Sequence, residues 1–254
     1  MAQLALDDDQ RNALVGHLDR VSVRWMSLLA KPGPPSVRHH VREMCATQPT
    51  PSKGVRRALP RDRDEVTETV AAAFAEDPGW AFIFGQDYER LAAHFAGALF
   101  DVRVATRTVW VADDGAAAAM WDPPGEPGGS EHADSVWRRY HALAGETAAQ
   151  RLAAYNHAVH VVAPAEDHWY LGVLATRPSY QRAGLASAVL GPVLDEADRH
   201  NVLCCLETST LENRRFYERR GFTQTTEILL PGGPPTWWLQ RPPTRGIPFS
   251  SSRT

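Results

Sequence analysis

The stretch "YQRAGLASAVL", Tyr180 to Leu190, sets a glutamine, an arginine and a glycine between an apolar run ending at Ala175 and a helix-like segment. A strand that enters a helix through such a loop leaves the first helical N–H groups without partners, and with the helix dipole they form an anion site. Gly184 removes the Cβ that would block close backbone approach, Ala186 keeps the next contact small, and Arg182 brings positive charge to the mouth. The chemistry these residues suit is the cradling of a phosphate or pyrophosphate. No GxxxxGK[ST] and no GxGxxG after a strand occurs in the chain, so the mononucleotide and dinucleotide loops do not compete. Taken alone, a Q-x-x-G-x-A segment is a weak signal, and an ordinary strand-to-helix turn explains it better. His157 and His160 stand one helical turn apart, but no third or fourth ligand of suitable spacing lies nearby, and no metal is expected.

The elements that must position this loop alternate along the chain. "GVRRALP" reads as a strand, "RDRDEVTETVAAAFAEDP" as a helix stopped by Pro78, and "QDYERLAAHFAGALFDVRVA" as a second helix. "TVWVADDGAAAAMWDPP" predicts a β-hairpin turned by "DDG". Two helical segments follow, "SEHADSVWRRYHALAG" and "AAQRLAAYNHAVHVVAP", then the apolar strand "HWYLGVLATRP" that Pro178 ends. "ASAVLGPVLDEADRH" is the next helix, with Pro192 weakening the expectation for its second half. "NVLCCLETS" is a strand, "ENRRFYERRG" a short helix closed by Gly221, and "FTQTTEILLPGGPPTWWLQRP" a final hairpin. The order is α+β with a mixed sheet.

Upstream, "DDDQRNALVGHLDRVSVRWMSLLA" has an amphipathic pattern through Leu14, Leu18, Val21, Trp25 and Leu28. Its apolar face wants a partner: the main domain, a second subunit in a homodimer, or a short helix in "SVRHHVREMC". "ATQPTPSKG" is a linker. The expected division is residues 1–52 as a helical extension and linker, 53–245 as the main domain, and 246–254 as a flexible tail.

With 254 residues and a formal net charge of -3 spread along the chain, neither a nucleic-acid surface nor a polybasic membrane patch is expected. The three cysteines, Cys45, Cys204 and Cys205, are odd in number and two are adjacent in an apolar run, which predicts buried thiols and a reducing cytoplasm. No apolar stretch is long enough to span a bilayer, and the acidic start "MAQLALDDDQ" is unlike a signal peptide.

Gln181, Gly184 and Ala186 match the acetyl-CoA loop of the GCN5-related N-acetyltransferases (GNATs), and "ENRRFYERRGF" resembles the same family's second signature. The resemblance covers the order of elements from about Gly54 to Arg241. "VWVADDGAAAAMWDPPG", "LETS" and "FYERRGFTQTTEILLPGGPPTW" are similar, more narrowly, to the puromycin N-acetyltransferase group. The resemblance implies a GNAT fold of the α/β (α+β) class, with a mixed, mostly antiparallel central sheet whose strands splay between flanking helices. It implies acetyl-CoA as co-substrate, bound through the backbone of Leu174, Ala175 and Thr176 and through the loop Gln181, Arg182, Ala183, Gly184, Leu185, Ala186 and Ser187, with Asn213 as a further contact. Asn213 is alternatively a helix N-cap. Tyr217 matches the family's thiolate-protonating tyrosine, and Trp80, Phe82 and Phe84 fall where the family builds its acceptor wall, or else close the core.

Acetyl transfer also requires an uncharged amine and therefore a proton acceptor. Glu207 is the first candidate, with capping of the following turn as its alternative, and Glu166 and Asp167 come next. The implied substrate is a small-molecule primary amine, puromycin-like or another antibiotic or metabolite. A protein lysine or N-terminus, and a non-catalytic acyl-CoA-binding module with a protein partner, stay open at this level.

Overall fold

The computed structural model describes residues 54–125 and 130–244. The extension and linker expected over 1–52, with Trp25 and Cys45, and the tail expected over 246–254 lie outside the described residues.

Among the described residues the chain forms seven strands: β1 (Arg56–Arg57), β2 (Val109–Ala112), β3 (Ala117–Asp122), β4 (His168–Thr176), β5 (Leu203–Thr208), β6 (Thr223–Ile228) and β7 (Thr236–Arg241). They build one sheet in the order β1-β2-β3-β4-β5-β7-β6, antiparallel everywhere except between β4 and β5. This is the mixed, mostly antiparallel sheet expected from the sequence. The parallel pair arises because a helix, α6 (Leu185–His200), carries the chain back across the sheet between those two strands. The β2–β3 hairpin turns through Asp113, Asp114 and Gly115, all with positive φ, a conformation that the aspartates and glycine of "DDG" tolerate.

Helices cover both faces. On one side lie α1 (Arg63–Ala73), α2 (Pro78–Phe84), α3 (Tyr88–Ala105), α4 (Glu131–Ala144) and α5 (Glu146–Val162); on the other lie α6 and α7 (Leu211–Glu218). Helix α3 buries Leu91, Ala92, Phe95, Ala96, Leu99 and Phe100, a helical-period stripe that faces the sheet. Cys204 and Leu206 face α6, whereas Cys205 faces the α5 side, so the strict alternation of β5 delivers Glu207 to that same α5 side. Cys204 and Cys205 are buried free thiols.

Two expectations need correcting. Pro78 does not merely stop the first helix: α1 ends at Ala73, and Pro78 opens the separate helix α2, whose N-cap Asp77 accepts a hydrogen bond from the Trp80 N–H at 2.9 Å. A proline at the first helical position has no N–H to lose and a φ already suited to the turn. Pro192, conversely, does not weaken α6, which runs unbroken to His200.

A β-bulge separates the two halves of β4. Ala117 to Met120 pair with Thr176 to Val173, but Trp121 pairs with Leu171, which leaves Gly172 as the extra residue. Leu171 therefore packs with the α6 core while Val173 and Ala175 pack with the α3 core. Gly172 is suited to the position because a Cβ there would stand 2.8 Å from the Arg103 guanidinium, whose Nη2 is held by Asp122 at 2.6 Å.

Candidate functional site

The parallel pair is short. β4 and β5 are bonded only through His168–Leu203, Trp169–Cys204 and Tyr170–Cys205. Beyond that point β4 continues to Thr176 beside β3 and β5 continues to Thr208 beside β7. The strands splay, and among the described residues the β5-facing backbone edge at Leu174, Ala175 and Thr176 has no strand partner. Such an edge can take an extended ligand arm as if it were an added strand.

The loop that follows β4 is the one the sequence offers as a candidate anion site. After a turn at Pro178–Tyr180, Gln181, Arg182, Ala183 and Gly184 are exposed. Arg182 and Gly184 hold positive φ of 63° and 83°, and Gly184 is the N-cap of α6 with no side chain capping the helix. The first N–H groups of α6, at Leu185, Ala186 and Ser187, thus open toward the loop, the arrangement that binds phosphate. Leu185 itself is buried and anchors the turn. The sequence did not mark Arg220, which donates to Ser187 Oγ, lies 3.5 Å from the Phe216 ring centroid and adds a guanidinium to this end of α6.

Glu207 stands on β5 just past the last β4–β5 pair. Its carboxylate accepts the Tyr170 hydroxyl at 2.7 Å on Oε2 and the Tyr155 hydroxyl at 3.4 Å on Oε1. It caps no turn; Thr210 caps α7, its side chain accepting from Asn213 N–H. Burial raises the Glu207 pKa to about 7, against the two tyrosine hydrogen bonds, which lower it, and Asp77 adds a further increase. A carboxyl group that titrates near neutrality suits a general base. Glu166 and Asp167 are exposed at the entrance of β4, on the paired side of the splay, and are not brought to Glu207.

Tyr217 is 7% exposed, with its ring edge-on to Phe216 and Phe222. Burial, and then the Glu207 charge, push its hydroxyl well above the ordinary phenol value, so it is a proton donor at neutral pH. Asn213 is exposed in the first turn of α7 and is not its cap, which corrects the N-cap alternative. The aromatic trio divides. Trp80 and Phe84 are 7% and 2% exposed and pack on Phe95 with centroids at 5.3 Å, closing the core between α2 and α3; Phe82 is half-buried at its edge. Trp80 and Phe84 are therefore core residues and do not form an open wall.

Three residues the sequence did not single out join this site: Tyr155 from α5, Tyr170 from β4 and Asp77 from the α2 cap. Tyr170 had a legible signal, since a tyrosine polar tip in an apolar strand needs a partner when buried. Tyr155 and Asp77 had none, because the packing of α5 and α2 over β5 is a tertiary fact. Among the described residues no group of three His, Cys, Asp or Glu is placed to hold a metal ion. No helix among them is long and apolar enough to cross a membrane.

Residues 119–222, from within β3 through the splay to just past α7, match the model of the acetyltransferase (GNAT) family. An uncharacterised N-acetyltransferase of Schizosaccharomyces pombe is 22% identical over 188 residues, covering 69% of this chain and 76% of that one. A histone acetyltransferase HPA2 and related acetyltransferase from Corynebacterium glutamicum superposes with a TM-score of 0.54 and 24% identity, over 76% of this chain and 97% of its own. Arylalkylamine N-acetyltransferase 2 from Aedes aegypti superposes with a TM-score of 0.52 and 14% identity, over 75% and 98%. The match of residues 119–222 to the acetyltransferase (GNAT) family and the similarity to a protein named as an N-acetyltransferase support an acetyl-transferring enzyme.

Proposed function

We propose that the protein transfers the acetyl group of acetyl-CoA to the primary amine of a small molecule by direct attack in a ternary complex. The observation that carries this reading is the Glu207 carboxylate, held by two tyrosines at the mouth of the splay and titrating near neutrality. Acetyl-CoA supplies the thioester. The free edge of Leu174 to Thr176 holds the pantetheine arm, and the N–H groups of Arg182 to Ser187, with the Arg182 charge, hold the pyrophosphate. Asn213, exposed on α7, is a further contact.

Glu207 takes a proton from the acceptor ammonium and frees the lone pair that forms the new C–N bond to the thioester carbonyl carbon. As the C–S bond breaks, Tyr217 gives its proton to the departing sulfur and recovers one from the nitrogen, so that amide and thiol leave uncharged. Glu207 returns its own proton to solvent. The acceptor is an amine small enough to reach Glu207 beneath α5, whose Tyr155 covers it. The narrower sequence likeness favours a puromycin-like aminonucleoside or another amine antibiotic or metabolite, and with it a protective role.

Free-thiol release from acetyl-CoA, measured against a panel of amine antibiotics that includes puromycin and beside a lysine-bearing peptide, tests the reading. Turnover on a small amine and none on the peptide is the expected result. Turnover on the peptide alone overturns the substrate class, and acetyl-CoA binding without thiol release from any acceptor overturns catalysis.

Tyr217→Phe is expected to lower kcat about 10- to 100-fold while acetyl-CoA affinity, read by calorimetry, stays within about twofold. The loss falls at the low end for a general acid because a thiol of ordinary pKa near ~8.5 already leaves readily as thiolate. Unchanged turnover across the pH range removes Tyr217 from the mechanism.

A further inference from the structure

Arg220 spans the two ends of the acetyl-CoA site. Its backbone N–H donates to the Tyr217 carbonyl at 2.8 Å, in the turn that closes α7, and the Phe222 N–H donates to the same carbonyl at 3.2 Å. Its guanidinium donates through Nη1 to the Phe216 carbonyl at 2.6 Å and through Nη2 to Ser187 Oγ, in the first turn of α6. The Cζ of the same group lies 3.5 Å from the Phe216 ring centroid, and Phe216 in turn stands edge-on to Tyr217. One side chain thus fastens the turn that carries the Tyr217 hydroxyl to the helix start assigned to the pyrophosphate.

The charge of that side chain is unspent. The guanidinium is half-buried, and among the described residues no carboxylate pairs with it; Glu218, two residues before it, is held by Arg214 at 2.8 Å. The buried Arg103 and Arg241, by contrast, are held by Asp122 at 2.6 Å and Asp198 at 2.7 Å. Burial, and then the Arg219 charge, hold the Arg220 pKa below its ordinary value. A half-buried cation without a counter-ion is stabilised by an anion that reaches it, and charge-assisted bonds to phosphate are among the strong ones.

We propose that Arg220 is a positioning residue of the transfer: it couples phosphate binding at the α6 terminus to the placement of Tyr217 at the departing sulfur. This inference rests on the acetyl-transfer reading and adds a donor specificity to it. A thioester carried on a phosphate-bearing cofactor is favoured over the same thioester on pantetheine alone. The bonds to Phe216 and Ser187 leave further guanidinium N–H groups for phosphate oxygens beside the Ser187 N–H. A phosphate there fixes the guanidinium and, through the carbonyls of Phe216 and Tyr217 that Arg220 engages, the turn between them. Arg220 also acts on the hydroxyl itself. Burial and then Glu207 raise the Tyr217 pKa, whereas the Arg220 charge lowers it and so eases release of the proton to sulfur.

Arg220→Gln tests this, with acetyl-CoA and acetyl-pantetheine as the two donors and an amine that turns over in the screen. The ratio of kcat on acetyl-CoA to kcat on acetyl-pantetheine is expected to fall about tenfold from its wild-type value, the effect of one charge-assisted hydrogen bond. The melting temperature is expected to stay within a few degrees. Arg220→Lys, which keeps the charge that phosphate reads, is expected to bring the ratio back to within about threefold of wild type. A ratio unmoved in Arg220→Gln, or lost equally in Arg220→Lys, overturns the coupling. Amide hydrogen exchange reads the same coupling without turnover. CoA is expected to slow exchange of the Arg220 and Phe222 N–H groups, which donate to the Tyr217 carbonyl, about tenfold in the wild type. Pantetheine is expected to leave them as they were, as is CoA bound to Arg220→Gln. CoA that binds the wild type by calorimetry without slowing these amides overturns the inference alone. CoA that does not bind at all overturns the acetyl-transfer reading, and the inference with it.

Discussion

Glu207→Gln is expected to cut kcat/KM at pH 7 about 100- to 1,000-fold and to make the protein more stable at the same time. Both effects come from one carboxyl group. With Glu207 titrating at about 7, the wild-type rate climbs with pH up to neutrality as the carboxylate form fills, and the glutamine variant has no such limb. The stability effect follows from linkage. The folded-state pKa is raised above the ordinary value of 4.5, so the folded protein binds this proton more tightly than the unfolded chain does. Stability from that proton is fully present below about 4.5 and is lost as pH rises through about 7, a loss on the order of 3 kcal/mol. Glutamine carries no charge to desolvate, and its carbonyl oxygen still accepts the Tyr170 hydroxyl. The denaturation midpoint of the variant is therefore expected to exceed the wild type's above pH 7 and to converge with it near pH 4. A variant with unaltered rate at pH 7, or an equal stability difference at both pH values, removes Glu207 as a buried base.

The division between what the sequence discloses and what it withholds follows from the range of the forces involved. The geometry of the loop between β4 and α6 was legible because its determinants are local: a strand, a glycine in the left-handed region and a helix start lie within a dozen residues, and Gly184 takes up the conformation its type allows. The alternation of β5 was equally local, and it places Glu207 on the opposite face from Leu206. The bulge at Gly172 was not legible, although it changes which face of β4 each residue serves. A glycine in a strand signals a bulge or a close approach without distinguishing them, and here Arg103 makes it both. Trp80 and Phe84 were open between wall and core because the same aromatic residues serve either. Their burial depends on Pro78 beginning a helix that lays them against Phe95. Tyr155, 52 residues before Glu207 in the chain, meets it only because α5 is folded back over β5. Hydrophobic periodicity locates a helix, whereas the polar contact at its buried face is set by its neighbour.

Gly184→Glu is expected to weaken acetyl-CoA binding by about 1,000-fold or more, beyond detection by calorimetry at micromolar protein. Two physical effects act at once. The φ of 83° at Gly184 lies in the left-handed region, which costs a residue with a Cβ about 1–2 kcal/mol. The larger effect is electrostatic. Gly184 caps α6 with no side chain, so the N–H groups of the first turn are free for an anion; a glutamate there would place its own carboxylate at that turn. An intramolecular anion at a high effective concentration both occupies the donors and repels the incoming phosphates. Gly184→Asn separates the two effects. Asparagine tolerates the left-handed conformation and caps without charge, so the fold is expected to survive with acetyl-CoA affinity reduced about tenfold, by competition for the N–H groups alone. Melting temperatures within a few degrees for all three proteins, with affinity in the order Gly, Asn, Glu, are the result that assigns the pyrophosphate to the α6 terminus. Retained affinity in Gly184→Glu places the phosphates elsewhere, and the Arg220 guanidinium beside Ser187 becomes the next group to remove.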